Sequence, residues 1–465
     1  MAGGRYSRPG VQGRPAAARR TSALTATAVP EARDEEGAAE PGRRVPRFWT
    51  WLGVVVLGGL VLRVVYVWGV ADPDGFGDPL FYHLQANFLA DGKGFSEPFT
   101  WRDTGRYIPT AVHPPLYPMI LAITSVFGYD GFLAHKLVSA VIGALAVGAI
   151  GLVGRAAGGP RVGIVAAVLA AVYPNFFVLD GTLLSEGLFV LTIAGATLAG
   201  YRLLRSPTVG AAVVLGVAFG LAALTRGEAV LLVPLLALPV AFLAGRMSLG
   251  RRLVLVGVVG VAMLATIAPW AIRNAARFEK PVLLSTNSEE VLAFSNCEST
   301  YGGYAFGFWD FSCHFGEPTG DESERAGYWR RQGLDYAREH LSRVPAVVAA
   351  RVGRVWDVYR PTQNRVFSQL DGRTPGWARA GQVTYWAVAA LATAGAVVLW
   401  RRRPALLVPL GAQVVLVTVT AAYAYGATRF RVPGEVALVV LAAVALEAAG
   451  RGVLDRSHRR RAAKG

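Results

Sequence analysis

The feature that most constrains this sequence is a series of apolar runs of about 17 to 25 residues, each long enough to cross a hydrocarbon core roughly 30 Å thick. Of the 465 residues, 53% are hydrophobic and 17% are charged. An ordinary soluble domain carries about 25% charged residues. The sequence therefore predicts an all-α polytopic membrane protein rather than a soluble globule.

Arginine-rich connections set the predicted topology. Arginines cluster at 155–161, 202–205, 246–252 and 401–403, and the positive-inside rule assigns such connections to the cytosol. Both chain ends are then cytosolic, which requires an even number of spans. Ten transmembrane helices are predicted, at 48–71, 131–154, 161–180, 183–204, 207–225, 228–245, 252–272, 376–400, 403–423 and 433–450.

The remaining segments are assigned from composition and from this topology. Residues 1–46 are rich in Ala, Gly, Pro and Arg and predict a disordered cytosolic tail. Residues 451–465 predict a basic cytosolic tail. The spans fall into a module at 47–272, with a first outer loop at 72–130, and C-terminal helices at 376–450. An extracytoplasmic loop region at 273–375 lies between these two groups.

Two outer segments are predicted to lie at the membrane interface instead of crossing it. Residues 114–128 are apolar but short, and a further span there would reverse the side of the arginine-rich connections. In the second outer loop, Val344 begins a stripe at helical spacing that ends at Tyr359. Arg351 and Arg354 share another face of this helix.

The net charge of +16 does not indicate a nucleic-acid partner. The arginines lie at the ends of apolar runs and in both tails, and no soluble basic domain is present to follow a phosphate backbone. The bilayer is the expected environment of these charges.

The first outer loop offers two candidate residues. Asp78 follows the first span, where a carboxylate could meet a substrate in the outer leaflet, although a solvated loop aspartate would look the same. His113 stands just before Pro114 and Pro115, which favour a helix start. A histidine in that place could serve catalysis or only a structural hydrogen bond.

Several charges are expected at the outer ends of spans. Arg226 and Glu228 share a tight turn between two apolar runs, where they could face a cavity or simply pair with each other. Arg273 and Arg429 also fall at outer ends, which the positive-inside rule disfavours. Arginine binds phosphate oxygens bidentately, so a lipid phosphate is the expected partner.

Cys297 and Cys313 are the only cysteines, and both fall in the second outer loop. An oxidising outer side favours a disulfide, which typically stabilises a loop of this size by about 3 kcal/mol. Free thiols are the alternative. A metal site needs more clustered ligands than His314 would add, so no metal site is predicted.

Taken together, several motifs resemble membrane glycosyltransferases of the GT-C fold that use polyprenyl-phosphate sugars. The nearest group is the family-39-like bacterial enzymes, related to protein O-mannosyltransferases and to the lipid A aminoarabinose transferase. The resemblance covers about residues 48–450, and the stretch 296–303 is similar to an actinobacterial branch. The motifs are Asp78-x-x-x-Tyr82, His113-Pro114-Pro115-Leu116-Tyr117-Pro118, Leu184-Ser185-Glu186, Gly220-Leu221-Ala222-Ala223-Leu224-Thr225-Arg226 and Pro269-Trp270-x-x-Arg273-Asn274.

The resemblance implies a GT-C-like bundle and an inverting transfer of a hexosyl or pentosyl group to an acceptor hydroxyl on the extracytoplasmic face of the plasma membrane. The acceptor would be a cell-envelope protein, lipid or polysaccharide. Asp78 maps onto the catalytic base. The expected substrate-binding residues are Tyr82, His113, Arg226, Glu228, Arg273 and Arg429.

No cofactor is expected to be required. Many members of the family have Asp-Glu where this chain has Asp78-Pro79, so nothing in the sequence supports a divalent cation near Asp78. A phosphate leaving group needs no strong general acid. The expected needs are a base for the acceptor proton and cations for the phosphate.

The main alternative is a non-enzymatic transporter or flippase of a lipid-linked sugar, which would also need arginines for a phosphate. Such a protein is expected to place charges near the bilayer midplane, whereas here they fall at span ends. A structural membrane protein would leave Asp78 and the outer arginines unexplained.

Overall fold

The structure, a computed structural model, describes residues 48–71, 75–313, 316 and 318–462, with side chains as far as Gly452. The predicted tail at 1–46, residues 72–74 of the first outer loop and His314 lie outside the described residues. Within the described ranges there is no β-strand, only an isolated bridge between Ser96 and Pro109. The prediction of an all-α polytopic membrane protein is confirmed.

Eleven α-helices make up the N-terminal part. They are α1 (Phe48–Gly69), α2 (Asp78–Ala90), α3 (Pro98–Thr104), α4 (Leu116–Val126), α5 (Phe132–Gly158), α6 (Pro160–Val172), α7 (Pro174–Asp180), α8 (Glu186–Arg205), α9 (Val209–Ala223), α10 (Leu238–Leu243) and α11 (Leu249–Ala275). Before α10, the chain forms a 3₁₀ helix at Gly227–Leu231 and a π-helix at Val233–Ala237.

The loop region at 273–375 and the C-terminal spans contain eight more. They are α12 (Asn287–Ser295), α13 (Glu298–Tyr301), α14 (Glu322–Glu339), α15 (Val344–Val355), α16 (Pro361–Phe367), α17 (Pro375–Arg402), α18 (Val408–Tyr423) and α19 (Val432–Ala462). Short 3₁₀ helices lie at Phe311–Cys313, Ser368–Asp371, Pro404–Leu407 and Thr428–Arg431. Because α19 continues to Ala462, most of the predicted C-terminal tail is a helical extension.

All ten predicted spans coincide with helical segments, but not all are straight. Among the described residues, seven helical segments are long and apolar enough to cross a membrane, and the pair α6 and α7 would be an eighth, bent by 53°. The bend lies at Tyr173, whose ψ of 114° is extended, because the following Pro174 disfavours a helical residue before it. The other two segments, α9 and Gly227–Leu243, are shorter apolar helices.

Helix α4 occupies the segment that was predicted to lie at the interface. It has 11 residues, about 16 Å at 1.5 Å per residue, and is therefore too short to cross the bilayer alone. Tyr117 and Leu121 are buried on α4, while Met119 and Ile123 are more than half exposed. Its two faces thus differ, as expected for an interfacial helix.

The predicted helix at Val344 forms as α15. Arg351 and Arg354 share one face of it, and that face is buried. Arg354 Nε donates to the carbonyl of Phe306 at 2.7 Å, and its Nη1 donates to Asn364 Oδ1 at 2.9 Å. Guanidinium groups can be buried here because loop carbonyls and amides accept their hydrogen bonds.

A buried ion pair joins two of the membrane helices. Arg63 of α1 donates through Nε to Asp180 Oδ2, the last residue of α7, at 2.6 Å, and the two side chains are 1% and 2% exposed. Gly143 leaves the necessary room, since a β-carbon there would collide with the Asp180 carboxylate. Such a pair fixes the entry to the turn that leads into α8.

Candidate active site

Asp78 begins α2, at the point where the first outer loop turns into a helix. The turn depends on Gly77, whose φ of +67° favours glycine, and on Pro79, which suits the first turn of a helix. Asp78 Oδ2 accepts a hydrogen bond from Arg429 Nη1 at 3.0 Å. Asp78 Oδ1 lies 3.6 Å from His113 Nε2, and the side chain remains 35% exposed.

His113 is held in place by the aromatic side chains of α2. Its ring centroid lies 4.8 Å from that of Phe81 and 4.9 Å from that of Tyr82. The chain that follows is tied to the next element of the site, because the Leu116 amide donates to the Leu224 carbonyl at 2.9 Å. The loop at His113 and the turn at Arg226 are therefore positioned together.

Glu186 is the central anion of the site. It is the first residue of α8, with a side chain 2% exposed, and its Oε1 accepts from Arg226 Nη1 at 2.8 Å and lies 3.8 Å from Arg429 Nε. Arg226 Nε also donates to Glu228 Oε1 at 2.7 Å. The sequence left open whether Arg226 and Glu228 pair with each other or face a cavity. In the structure they form an ion pair and also face a cavity.

Asp371, in the loop region at 273–375, approaches the same arginine. Its Oδ1 lies 3.5 Å from Arg429 Nη1, the nitrogen that also donates to Asp78. Asp371 ends the 3₁₀ helix at Ser368–Asp371, just before α17. Arg429 therefore lies among three carboxylates that come from α2, α8 and the segment before α17.

A cavity of about 970 Å³ opens beside these residues. Its inner end is lined by Asp78, Tyr82, His113, Arg226, Glu228 and Arg429. Its outer wall comes from α12 and α14 and includes Glu289 and Arg330. Arg226 and Arg429 are 19% and 18% exposed, so both guanidinium groups can be reached from the cavity.

Arg273 does not lie in this cavity, contrary to expectation. Its Nη2 donates to the Phe95 carbonyl and its Nη1 to the Thr110 carbonyl, both at 2.9 Å. The guanidinium also lies over the Trp270 ring at 4.9 Å. Sequence position at the outer end of α11 does not determine which face of the helix carries Arg273, and the structure turns it toward the first outer loop.

Two site residues, Glu186 and Asp371, were not predicted from sequence. Glu186 belongs to the Leu184-Ser185-Glu186 motif, but a glutamate that opens an apolar span carried no assigned role. An acidic residue at the start of a span is itself a usable signal, because an unpaired charge there is costly. Asp371 lies in an ordinary polar loop, where no signal sets it apart.

The charges around Asp78 decide its protonation. Burial raises the pKa of Asp78, but the positive charge of Arg429 and the contact with His113 outweigh it and lower the pKa below its ordinary value. Burial and the Asp78 carboxylate raise the pKa of Tyr82. The site therefore combines an ionised carboxylate with a neutral phenol at neutral pH.

The residues around Asp78 do not fit a divalent cation. Arg429 and His113 face its two oxygens, and a guanidinium so close would repel a metal ion. Within the described ranges, no group of three or more His, Cys, Asp or Glu side chains is placed to hold a metal. Arg429 and Arg226 supply the positive charge of the site instead.

Cys297 and Cys313 form a disulfide with their Cα atoms 5.6 Å apart. The loop that it closes carries Asp310, whose Oδ2 accepts from the Ser299 hydroxyl at 2.7 Å. This disulfide lies in the loop region at 273–375, and its cysteines do not line the cavity.

Known proteins share this sequence pattern and this architecture. Residues 112–272 match the family model described as dolichyl-phosphate-mannose-protein mannosyltransferase. A comparison with curated protein sequences gave no match.

Among solved structures, the archaeal oligosaccharyltransferase AglB from Archaeoglobus fulgidus, in complex with an inhibitory peptide and a dolichol-phosphate, is 16% identical with a TM-score of 0.54. The match covers 90% of this chain and 51% of that one. The same oligosaccharyltransferase in complex with Zn and sulfate is 17% identical over 88% of this chain and 50% of that one, with a TM-score of 0.54.

ArnT from Cupriavidus metallidurans, bound to undecaprenyl phosphate, is 18% identical over 88% of this chain and 80% of that one, but its TM-score of 0.39 is too low to define a fold. This chain spans about half the length of the archaeal oligosaccharyltransferase that it matches. Together with the helical spans, the similarity to the archaeal oligosaccharyltransferase confirms the predicted fold: the chain has the multi-pass helical architecture of GT-C glycosyltransferases.

Proposed function

We propose that this chain is an inverting glycosyltransferase that moves a sugar from a polyprenyl-phosphate donor to an acceptor hydroxyl on the extracytoplasmic face of the plasma membrane. The observation that carries the proposal is the pairing of Asp78 with Arg429 at 3.0 Å in the wall of the cavity. An ionised carboxylate and a reachable guanidinium are the two groups that this transfer needs.

In the proposed reaction, the acceptor oxygen bonds to the anomeric carbon while the bond from that carbon to the phosphate oxygen breaks. The acceptor proton goes to Asp78, and the electron pair of the broken bond stays on the phosphate. Asp78 Oδ1 is the better proton acceptor, because its distance of 3.6 Å from His113 is too long for a strong hydrogen bond. Attack from the side opposite the phosphate inverts the anomeric centre.

Arg429 and Arg226 are proposed to hold the donor phosphate as negative charge develops on it. Preorganised cations in a site that excludes bulk water stabilise such charge strongly. Tyr82 and His113, on the other side of Asp78, would face the sugar and the acceptor. The archaeal structure with a bound dolichol-phosphate supports a lipid-phosphate donor for this fold, and a cell-envelope acceptor is proposed on the same basis.

The function is tested by incubating the purified full-length protein with a polyprenyl-phosphate hexose and a cell-envelope fraction. Release of polyprenyl phosphate together with labelled envelope material, and an inverted anomeric configuration in the product, are expected. Movement of the intact donor between leaflets of a vesicle without cleavage would instead identify a transporter.

The sidedness of the site is tested with single introduced cysteines. Tyr129 is 69% exposed in the connection after α4, and Ser206 is exposed after α8. A membrane-impermeant maleimide should label Tyr129→Cys in intact cells and Ser206→Cys only after permeabilisation. The opposite pattern would place the cavity on the cytosolic side.

A further inference from the structure

Once a donor phosphate binds, Arg429 has more anionic neighbours than its N–H groups can bind. Its Nη1 lies 3.0 Å from Asp78 Oδ2 and 3.5 Å from Asp371 Oδ1. A phosphate bound at the exposed edge of Arg429 would compete for these same donors and would lie close to the Asp371 carboxylate. Like charges at such a distance repel strongly where water is scarce.

Arg373, two residues after Asp371, has donors to spare. Its side chain is buried, with 6% exposed, and its Nη1 reaches Asn175 Oδ1 only at 3.4 Å. Its Nε and Nη2 make no hydrogen bond to any residue that the structure describes. Leaving buried donors without acceptors is costly, which points to an acceptor that reaches them in another arrangement.

Asp371 is the carboxylate nearest to Arg373 in sequence. Burial raises the pKa of Asp371, while the charges of both Arg429 and Arg373 act to lower it. Both arginines are thus close enough to influence the same carboxylate. Gly372 lies between Asp371 and Arg373 with a φ of +81°, a conformation that favours glycine, and gives the chain freedom to reorient.

We propose that Asp371 and the donor phosphate compete for Arg429, and that Arg373 receives the Asp371 carboxylate when the phosphate binds. This inference rests on the lipid-phosphate donor proposed above. Asp371 and Arg373 are then positioning residues. Neither lines the cavity, so neither is proposed to contact the donor.

A double-mutant cycle on the full-length protein in detergent tests this exchange, with undecaprenyl phosphate as the titrated probe. Asp371→Asn should bind the probe about three- to tenfold more tightly, because the competing charge is gone. Arg373→Gln should bind it about three- to tenfold more weakly, because Asp371 then stays on Arg429. In the Asp371→Asn background, Arg373→Gln should have no further effect, a coupling of the size found for residues in contact.

A surface pair provides the matched controls. Arg338 Nη1 lies 2.8 Å from Asp335 Oδ1 on α14, with side chains 70% and 57% exposed. Asp335→Asn and Arg338→Gln should leave probe affinity unchanged. Thermal unfolding of each variant checks the fold, and Arg373→Lys replaces Arg373→Gln if the latter does not fold, since lysine cannot offer the two donors of a guanidinium fork.

The outcomes separate this inference from the function itself. Equal weakening by Arg373→Gln in both backgrounds would overturn the exchange, as would an Asp371→Asn variant that binds no more tightly than the wild type. If neither the wild type nor any variant binds undecaprenyl phosphate, the donor class proposed above is wrong. Binding that is equal in all variants contradicts the exchange alone.

Discussion

Glu186 Oε1 accepts a hydrogen bond from Arg226 Nη1 at 2.8 Å and thereby joins the start of α8 to the turn after α9. The same oxygen lies 3.8 Å from Arg429 Nε. Glu186 is therefore the residue that sets the relative position of the two guanidinium groups proposed to hold the donor phosphate.

Replacing this anchor should disturb both arginines. Glu186→Gln keeps the shape of the side chain but removes its charge, and we expect kcat/KM to fall about 10- to 100-fold, in keeping with the loss of hydrogen bonds to a charged group. Glu228→Gln is the matched control, because Glu228 forms an ion pair with Arg226 but, among the described side chains, none with Arg429, and its effect should be smaller. Equal effects of the two variants would show that Glu186 has no special role.

The three outer arginines should separate into two classes. Arg226→Gln and Arg429→Gln are expected to weaken undecaprenyl phosphate binding by about 1.5–3 kcal/mol each. Arg273→Gln should leave it unchanged, because Arg273 is turned toward the Phe95 and Thr110 carbonyls. Titration of the purified variants measures this, and an equal loss in Arg273→Gln would contradict the placement of the donor phosphate.

The pH dependence of turnover should report on the pair of Asp78 and Arg429. Since Arg429 helps to hold the pKa of Asp78 below its ordinary value, Asp78 stays ionised above that depressed pKa. The wild type should thus lose no activity through Asp78 between about pH 8 and pH 5.

In Arg429→Gln, the positive charge that opposes the effect of burial is gone, so the pKa of Asp78 rises. As the pH is lowered, kcat at saturating donor should therefore begin to fall at a higher pH than in the wild type. Arg226→Gln, which leaves the Asp78–Arg429 contact intact, is the control. If kcat falls at the same acidic pH in both variants, Arg429 does not control the protonation of Asp78.

The buried pair of Arg63 and Asp180 should matter for stability. Asp180→Asn leaves the Arg63 charge buried without its partner, and breaking such a pair typically costs about 3–5 kcal/mol. Adding Arg63→Gln to Asp180→Asn removes that buried charge, so the double variant should regain most of the lost free energy of unfolding. Unfolding of the purified variants in detergent measures both changes, and additive losses in the double variant would mean that the two residues are not coupled.

The spans could be predicted because a long apolar run has few alternatives to a membrane helix. The bend between α6 and α7 also has a local cause in the sequence, at Tyr173 and Pro174. This local cause does not determine whether the two short helices form one span. Asp78 and the outer arginines could be identified as candidates from charge at the edge of an apolar bundle. The positions of these charges along the sequence were enough to identify the candidates.

The contacts themselves could not be predicted. Asp78 and Arg429 are 351 residues apart, and their contact depends on how α2 and the 3₁₀ helix at Thr428–Arg431 are packed in the bundle. Arg273 shows the converse, since the end of a span is visible in sequence but the face that a side chain occupies is not. The burial of Arg351 and Arg354 could not be predicted for the same reason, because many of their acceptors lie far away in sequence, such as the Ser295 and Phe306 carbonyls.

The proposed mechanism depends most directly on Asp78 as the base, and the Asp78→Asn variant tests this role. Asparagine preserves size and hydrogen bonding but cannot accept the acceptor proton, and general-base catalysis is typically worth about 10²- to 10⁴-fold. Turnover should fall by that factor while undecaprenyl phosphate binding persists, and Asp91→Asn, at the exposed C-terminal end of the same helix, should behave as wild type. Near-normal turnover in a folded Asp78→Asn protein, or loss of binding together with turnover, would contradict the proposed mechanism.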